Sequence, residues 1–172
     1  MKQIFGVMIA GLAAALLPGA AHAQEVVCVM AAPPPPELAG WAARTPLPAA
    51  RDAKGLRRAA LVPGAAIDAA LLPTPDVHYV VRPEKPGGSV SYGGLYALVI
   101  SRPGTYRVAL GAGAWIDLLK GKKAVVSTAH GHGPDCSGIR KMVDFPLARG
   151  RYVLQIAANG EAALPVMVAL LP

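Results

Sequence analysis

Side chains able to hold a metal ion or move a proton crowd into one stretch of the chain, His130-Gly131-His132-Gly133-Pro134-Asp135-Cys136. On an extended strand, residues i and i+2 share a face, so His130 and His132 offer two imidazoles to one side. Asp135 completes a two-histidine, one-carboxylate set, the kind that leaves positions open on Fe(II) for oxygen and substrate. Cys136 as a thiolate suits a closed zinc or copper site instead. Asp117, His78, Tyr79 and Glu84 are further donors that other strands could bring in. Two readings without metal compete with these. One is acid–base chemistry by the histidines. The other is a structural bend, because Gly131, Gly133 and Pro134 are what a tight loop requires. A second glycine-rich region, Glu84-Lys85-Pro86-Gly87-Gly88 and Tyr92-Gly93-Gly94, reads as a ligand-binding loop rim or as a long turn. No Gly-x-Ser-x-Gly elbow and no Gly-Lys-Ser/Thr phosphate loop occurs.

The location of the chain decides how those side chains are read. Lys2 precedes an apolar run from Ile4 to Leu17, and Ala21-His22-Ala23 is a small-x-small cleavage site before Gln24. That order predicts a secretory signal peptide over residues 1–23. The run is too short for the roughly 20 residues a bilayer requires, so no membrane span is expected. The mature chain is expected to be periplasmic or secreted. In an oxidising compartment its two cysteines, Cys28 and Cys136, are expected to pair.

Lysine and arginine number 17 against 10 acidic residues, a formal net charge of +7. The cations are dispersed, which fits solvated turns or an acidic partner in the envelope. Export and the lack of aromatic residues alternating with basic ones argue against nucleic acid.

These side chains need a scaffold, and the hydropathy pattern describes one. Val26, Cys28 and Met30 suggest a short first strand in residues 24–30. Pro33 to Pro36 remove four backbone donors, so the chain continues as an irregular arm that Trp41 docks. Short strokes with strand character follow: weakly over 56–61, ambiguously over 65–72, then 77–82, 93–100, 105–110, 114–119, 123–128, 139–145, 151–157 and 164–170. Their spacing and turn signals predict an all-β, antiparallel, jelly-roll-like β-sandwich of eight or nine strands. The expected organisation is 1–23 signal peptide, 24–56 strand and arm, and 57–172 sandwich. From Thr105 onward the short connections suggest a meander. Gly104-Thr105-Tyr106 and Gly150-Arg151-Tyr152 echo one another, each a turn glycine, a spacer and a tyrosine that opens an alternating strand.

The segment from Phe145 to Ile156 resembles the last hairpin of pre-peptidase C-terminal domains, which are secreted β-sandwich modules without catalysis of their own. Ala114-Trp115-Ile116-Asp117, the stretch from Ser127 to Cys136, and the stretch from Ile139 to Phe145 resemble small exported proteins of α-proteobacteria. Some of those are labelled homogentisate 1,2-dioxygenase, which implies mononuclear iron. The chain departs from that enzyme's pattern: it is short and exported, and no glutamate lies near the histidine pair. The expectation is therefore an exported, non-catalytic module without a cofactor. It binds a ligand or partner protein of the cell envelope at a rim edged by His130, His132 and Tyr92. The alternative is an Fe, Zn or Cu protein, as an enzyme a metal-dependent dioxygenase, built on His130, His132 and Asp135. A third possibility is a purely structural accessory subunit.

Overall fold

The computed structural model describes residues 28–172; the expected signal peptide and residues 24–27 lie outside the described residues. Twelve strands are present among these residues: β1 (Thr45–Pro48), β2 (Ala60–Leu61), β3 (Ala66–Ala70), β4 (Leu72–Pro73), β5 (Tyr92–Ile100), β6 (Gly104–Leu110), β7 (Trp115–Lys120), β8 (Lys123–Ala124), β9 (Ala129–Gly131), β10 (Lys141–Leu147), β11 (Gly150–Asn159) and β12 (Ala163–Leu170). One sheet has the order β1-β3-β12-β6-β10-β9, and the other β2-β5-β11-β7-β8 with β4 on β5. The two pack face to face as an all-β sandwich. Their inner faces carry the alternating apolar residues of the long strands, among them Tyr96, Leu98, Val108, Leu118, Leu154 and Val168. Burial of one face fixes the register, because a slip by one residue would turn each strand's apolar set outward.

Several expectations change. The C-terminal half is not a meander. After β5 the chain crosses from sheet to sheet, so β6 pairs with β10 and β12 while β7 pairs with β11 and β8. Short connections bridge the sheets as readily as they close hairpins, and sequence spacing does not separate the two. Pairing is antiparallel except at the edges, where β1 runs parallel to β3 and β2 parallel to β5. Residues 28–30 are not a strand, and β1 lies inside the stretch expected to be an arm. Residues 77–82 alternate like a strand but pair with none. Val80 and Val81 donate their amides to the Gln155 side chain at 2.7 and 3.2 Å, and Gln155 Nε2 returns a bond to the Val81 carbonyl at 3.0 Å. A buried side-chain amide thus takes the place of a neighbouring strand.

The arm covers the outer face of the first sheet. A 3-10 turn, Pro36–Ala42, seats Leu38 and Trp41 (4% exposed) on Ala66, Ala109, Met167 and Ala169. Arg107 of β6 sits beside this contact. Its Nε and Nη2 donate to the two carboxylate oxygens of Asp144 at 2.8 and 2.9 Å, and its Nη1 donates to Glu37 of the arm. The two echoed tyrosines are equivalent corners of the sandwich. Tyr106 Oη donates to the carbonyl of Arg102 at 2.8 Å and Tyr152 Oη to that of Ala148 at 2.9 Å, each four residues back. No helix among the described residues is long and apolar enough to cross a membrane.

Candidate ligand-binding rim

The histidine segment is a clamped bend. Cys28 and Cys136 form a disulfide with their Cα atoms 5.4 Å apart. The amide of Ala32 donates to the Cys136 carbonyl at 3.1 Å, so the start of the arm is fixed at two points. Ser137 donates its hydroxyl to Pro134 O at 2.6 Å and accepts the Ile139 amide at 3.2 Å. The turn places Cys136 at φ +62° and Gly138 at φ +73°. Glycine takes that conformation freely, whereas for cysteine it costs on the order of 1 kcal/mol or more, which the cross-link and the two hydrogen bonds offset.

The bend does not assemble the expected metal set. His130 is exposed on β9, opposite Val143. His132 lies past the end of that strand, so the i, i+2 rule no longer aligns the two rings. Its Nδ1 donates to the Arg140 carbonyl at 2.7 Å. Asp135 is exposed, and the sulfur of Cys136 is spent in the disulfide. Among the described residues no three His, Cys, Asp or Glu side chains converge on one point. The donors present therefore do not fit a mononuclear iron, zinc or copper centre. Tyr92 opens β5, in the other sheet from His130.

The topology nevertheless gathers the informative residues at one end of the sandwich. β5, β7 and β10 begin at that end, and β6, β9 and β11 finish there. His132, Trp115, Lys141, Tyr92 and the loop holding Lys85 are the result. Arg140 and Lys141, at the start of β10, divide this rim into two parts. On one side, His132, Gly133, Asp135 and Arg140 bound a cleft of about 610 Å³ beside the disulfide. On the other stands Trp115, half-buried at the start of β7.

Trp115 was not singled out as a site residue from sequence, and its surroundings are unusual. Its Nε1 donates to Asp117 Oδ1 at 3.0 Å; the two residues stand two apart on one strand and so share a face. Lys85 Nζ lies 5.3 Å and Lys141 Nζ 5.9 Å from the centre of its ring. Lys141 also donates to the Ala114 carbonyl at 2.8 Å. Each ammonium is held by the electron-rich indole, and neither forms an ion pair among the described residues. Burial, and then the charge of Lys85, hold the Lys141 ammonium below its ordinary pKa. Asp117 also accepts a long contact from Gln155 Nε2 at 3.4 Å. The strap that Gln155 holds, residues 77–82, leads directly into the loop of Lys85. One network therefore sets both the indole and the lysine beside it. The sequence carried one signal for this site: a tryptophan opening a strand, with a carboxylate two residues on. Compared with known proteins, the chain matches no family model and no curated protein, so its site is read from its own geometry.

Proposed function

We propose that this protein is an exported, non-catalytic β-sandwich module that binds an anionic ligand of the cell envelope on the rim around Trp115. The observation that carries this reading is one indole flanked by two ammonium groups, neither of them in an ion pair among the described residues. An indole offers a flat apolar surface that complements a sugar or aromatic ring. Two neighbouring cations raise one another's energy, and an anionic group on the ligand relieves that repulsion. The result is binding without a reaction: the groups are placed to orient and neutralise, and no nucleophile is paired with a base beside them.

Export is supported by the leader-like first 23 residues together with the disulfide. The resemblance to exported α-proteobacterial proteins and to pre-peptidase C-terminal modules agrees with a binding role.

D-galacturonate and D-galactose differ by a carboxylate on the same ring and test the proposal by ligand-observed NMR. The acid is expected to bind with a Kd on the order of millimolar, at least about tenfold more tightly than the neutral sugar. Trp115→Ala and a Lys85→Met/Lys141→Met double substitution should each weaken binding of the acid by about tenfold or more. Equal binding of the two sugars, or no effect of Trp115→Ala, overturns the reading.

A further inference from the structure

A second basic site lies across the same sheet. Arg51, Lys54 and Arg58 line a pocket of about 500 Å³ at the β5 edge of the second sheet. Ala50 bridges to Leu95 of β5 and β2 pairs with β5 on that edge, which fixes the place of the pocket. All three cations are exposed, and none forms an ion pair among the described residues. The acid among them, Asp52, has Oδ1 occupied by the amides of Lys54 and Gly55 at 2.9 and 3.0 Å. The field of the pocket is therefore positive.

The strap of residues 77–82 joins this pocket to the rim. It starts where the His78 amide donates to the Arg51 carbonyl at 2.8 Å. It crosses β11 through the bonds to Gln155, and its exposed Arg82 precedes the loop of Lys85. Strands lie about 4.8 Å apart, so the three spacings from the Ala50 edge past β5 and β11 to β7 cover roughly 15 Å. Along that path stand Arg51, His78, Arg82 and Lys85, with the indole at its end. The acids near the path are Asp76, Glu84 and Asp117, and Asp117 is already bonded to Trp115 and Gln155.

From this arrangement we infer that the ligand is a chain, an acidic polysaccharide. It lays one charged sugar at Trp115 and continues along the strap into the pocket of Arg51, Lys54 and Arg58. This rests on the reading of the Trp115 rim given above. A concave pocket and a single ring-sized platform suit separate sugar units; between the two basic sites the strap exposes one aliphatic side chain, Val81, too little apolar surface to insert into a bilayer. Two linked contacts also raise affinity without any new contact, because the second binding step becomes intramolecular.

Calorimetry with galacturonate oligomers of one to eight units tests the inference. Affinity should climb at least tenfold between one unit and the longer chains, and the gain should fade with added salt as the charges are screened. Lys54→Glu/Arg58→Glu should return long chains to the affinity of the single sugar and leave the single sugar's own binding unchanged. Trp115→Ala should weaken both. Affinity independent of length, together with a silent Lys54→Glu/Arg58→Glu variant, overturns the chain while the rim reading survives. Loss of response to Trp115→Ala sinks the rim reading itself. Binding to phosphatidylglycerol vesicles without binding to any uronate length overturns the chain in favour of a membrane surface.

Discussion

Tyr96 and the half-buried Tyr79 both have pKa values raised by burial, which weakens this fold in alkali, and Tyr96 is the deeper of the two. It is fully buried between the sheets, its Oη donates to the Leu47 carbonyl at 3.2 Å, and burial raises its pKa well above 10.0. The folded state keeps the proton that the unfolded chain releases near pH 10.0. Tyr96 therefore contributes stability in full below that pH and loses it as pH rises from 10.0 toward the folded value. Lys141 has the opposite sign: its pKa is lowered in the fold, so its charge costs stability below the folded value and the cost disappears as pH approaches 10.5. Urea titrations at pH 8, 9.5 and 10.5 should show a decline in stability that is shallower in Tyr96→Phe, against a uniform loss of about 1 kcal/mol for its hydrogen bond. A variant that declines as steeply as the parent would show that Tyr96 does not contribute to the alkaline loss. At this scale the sequence was uneven. The tyrosine corners were visible as a repeated Gly-x-Tyr. The indole site was not, because Lys85 and Lys141 are far apart in the chain and meet only through the crossing of the two sheets.

Among the elements, the strap shows where reading by alternation fails. Val77, Tyr79 and Val81 stand at alternate positions as strand residues do, yet Val81 is exposed while Val80 is half-buried, and the amides of 80 and 81 donate to Gln155. A glutamine amide satisfies the backbone as well as a strand does, so apolar residues at alternate positions do not by themselves make a strand. Gln155 itself stood in the alternation of β11 as an outward polar residue; it is 0% exposed because the strap lies on it. Gln155→Ala removes the three hydrogen bonds to the strap and the longer one to Asp117 and leaves a void, a loss of about 3 kcal/mol. Hydrogen exchange offers a sharper readout than the midpoint of unfolding. The amides of Val80 and Val81 should lose protection first, while those of β11 keep theirs. Protection that persists at 80 and 81 would mean another contact holds the strap. The long strands from β5 to β12 were legible because each buries one face over seven or more residues or begins at a clear turn. The strokes over 56–61 and 123–128 do contain β2 and β8, but only two residues of each are paired, because a strand that short carries no period to mark its ends.

For the whole molecule, the cross-link does more than staple a loop. It spans 108 residues and ties the arm to the bend between β9 and β10, while Arg107 pins the same arm through Glu37. The chain-entropy account assigns a loop of that length up to about 4.7 kcal/mol. Cys28→Ser/Cys136→Ser should lower stability by about 2–4 kcal/mol and expose Trp41, which fluorescence reports as a shift to the red. If the emission of Trp41 is unchanged, the apolar contacts of Leu38 and Trp41 hold the arm without the disulfide. Fold class, the pairing of the cysteines and the docking of Trp41 were all legible at this scale, because they follow from strand patterning, from a cysteine count of two and from the burial a large aromatic side chain seeks. The partnership of the strands was not, since it depends on which short connections cross between layers.

The order of the first sheet bears on how the protein comes into being. Its last strand, β12, lies between β3 and β6, in the interior of the sheet. Until residues 163–170 arrive, β1 and β3 on one flank and β6, β10 and β9 on the other have no common neighbour to hold them together. Nothing resembling the finished layer can grow stepwise from the amino end as the polypeptide emerges. Assembly of this layer waits for residues 163–170 to thread between their neighbours, so its two flanks stay pliant with respect to one another until that strand is in place.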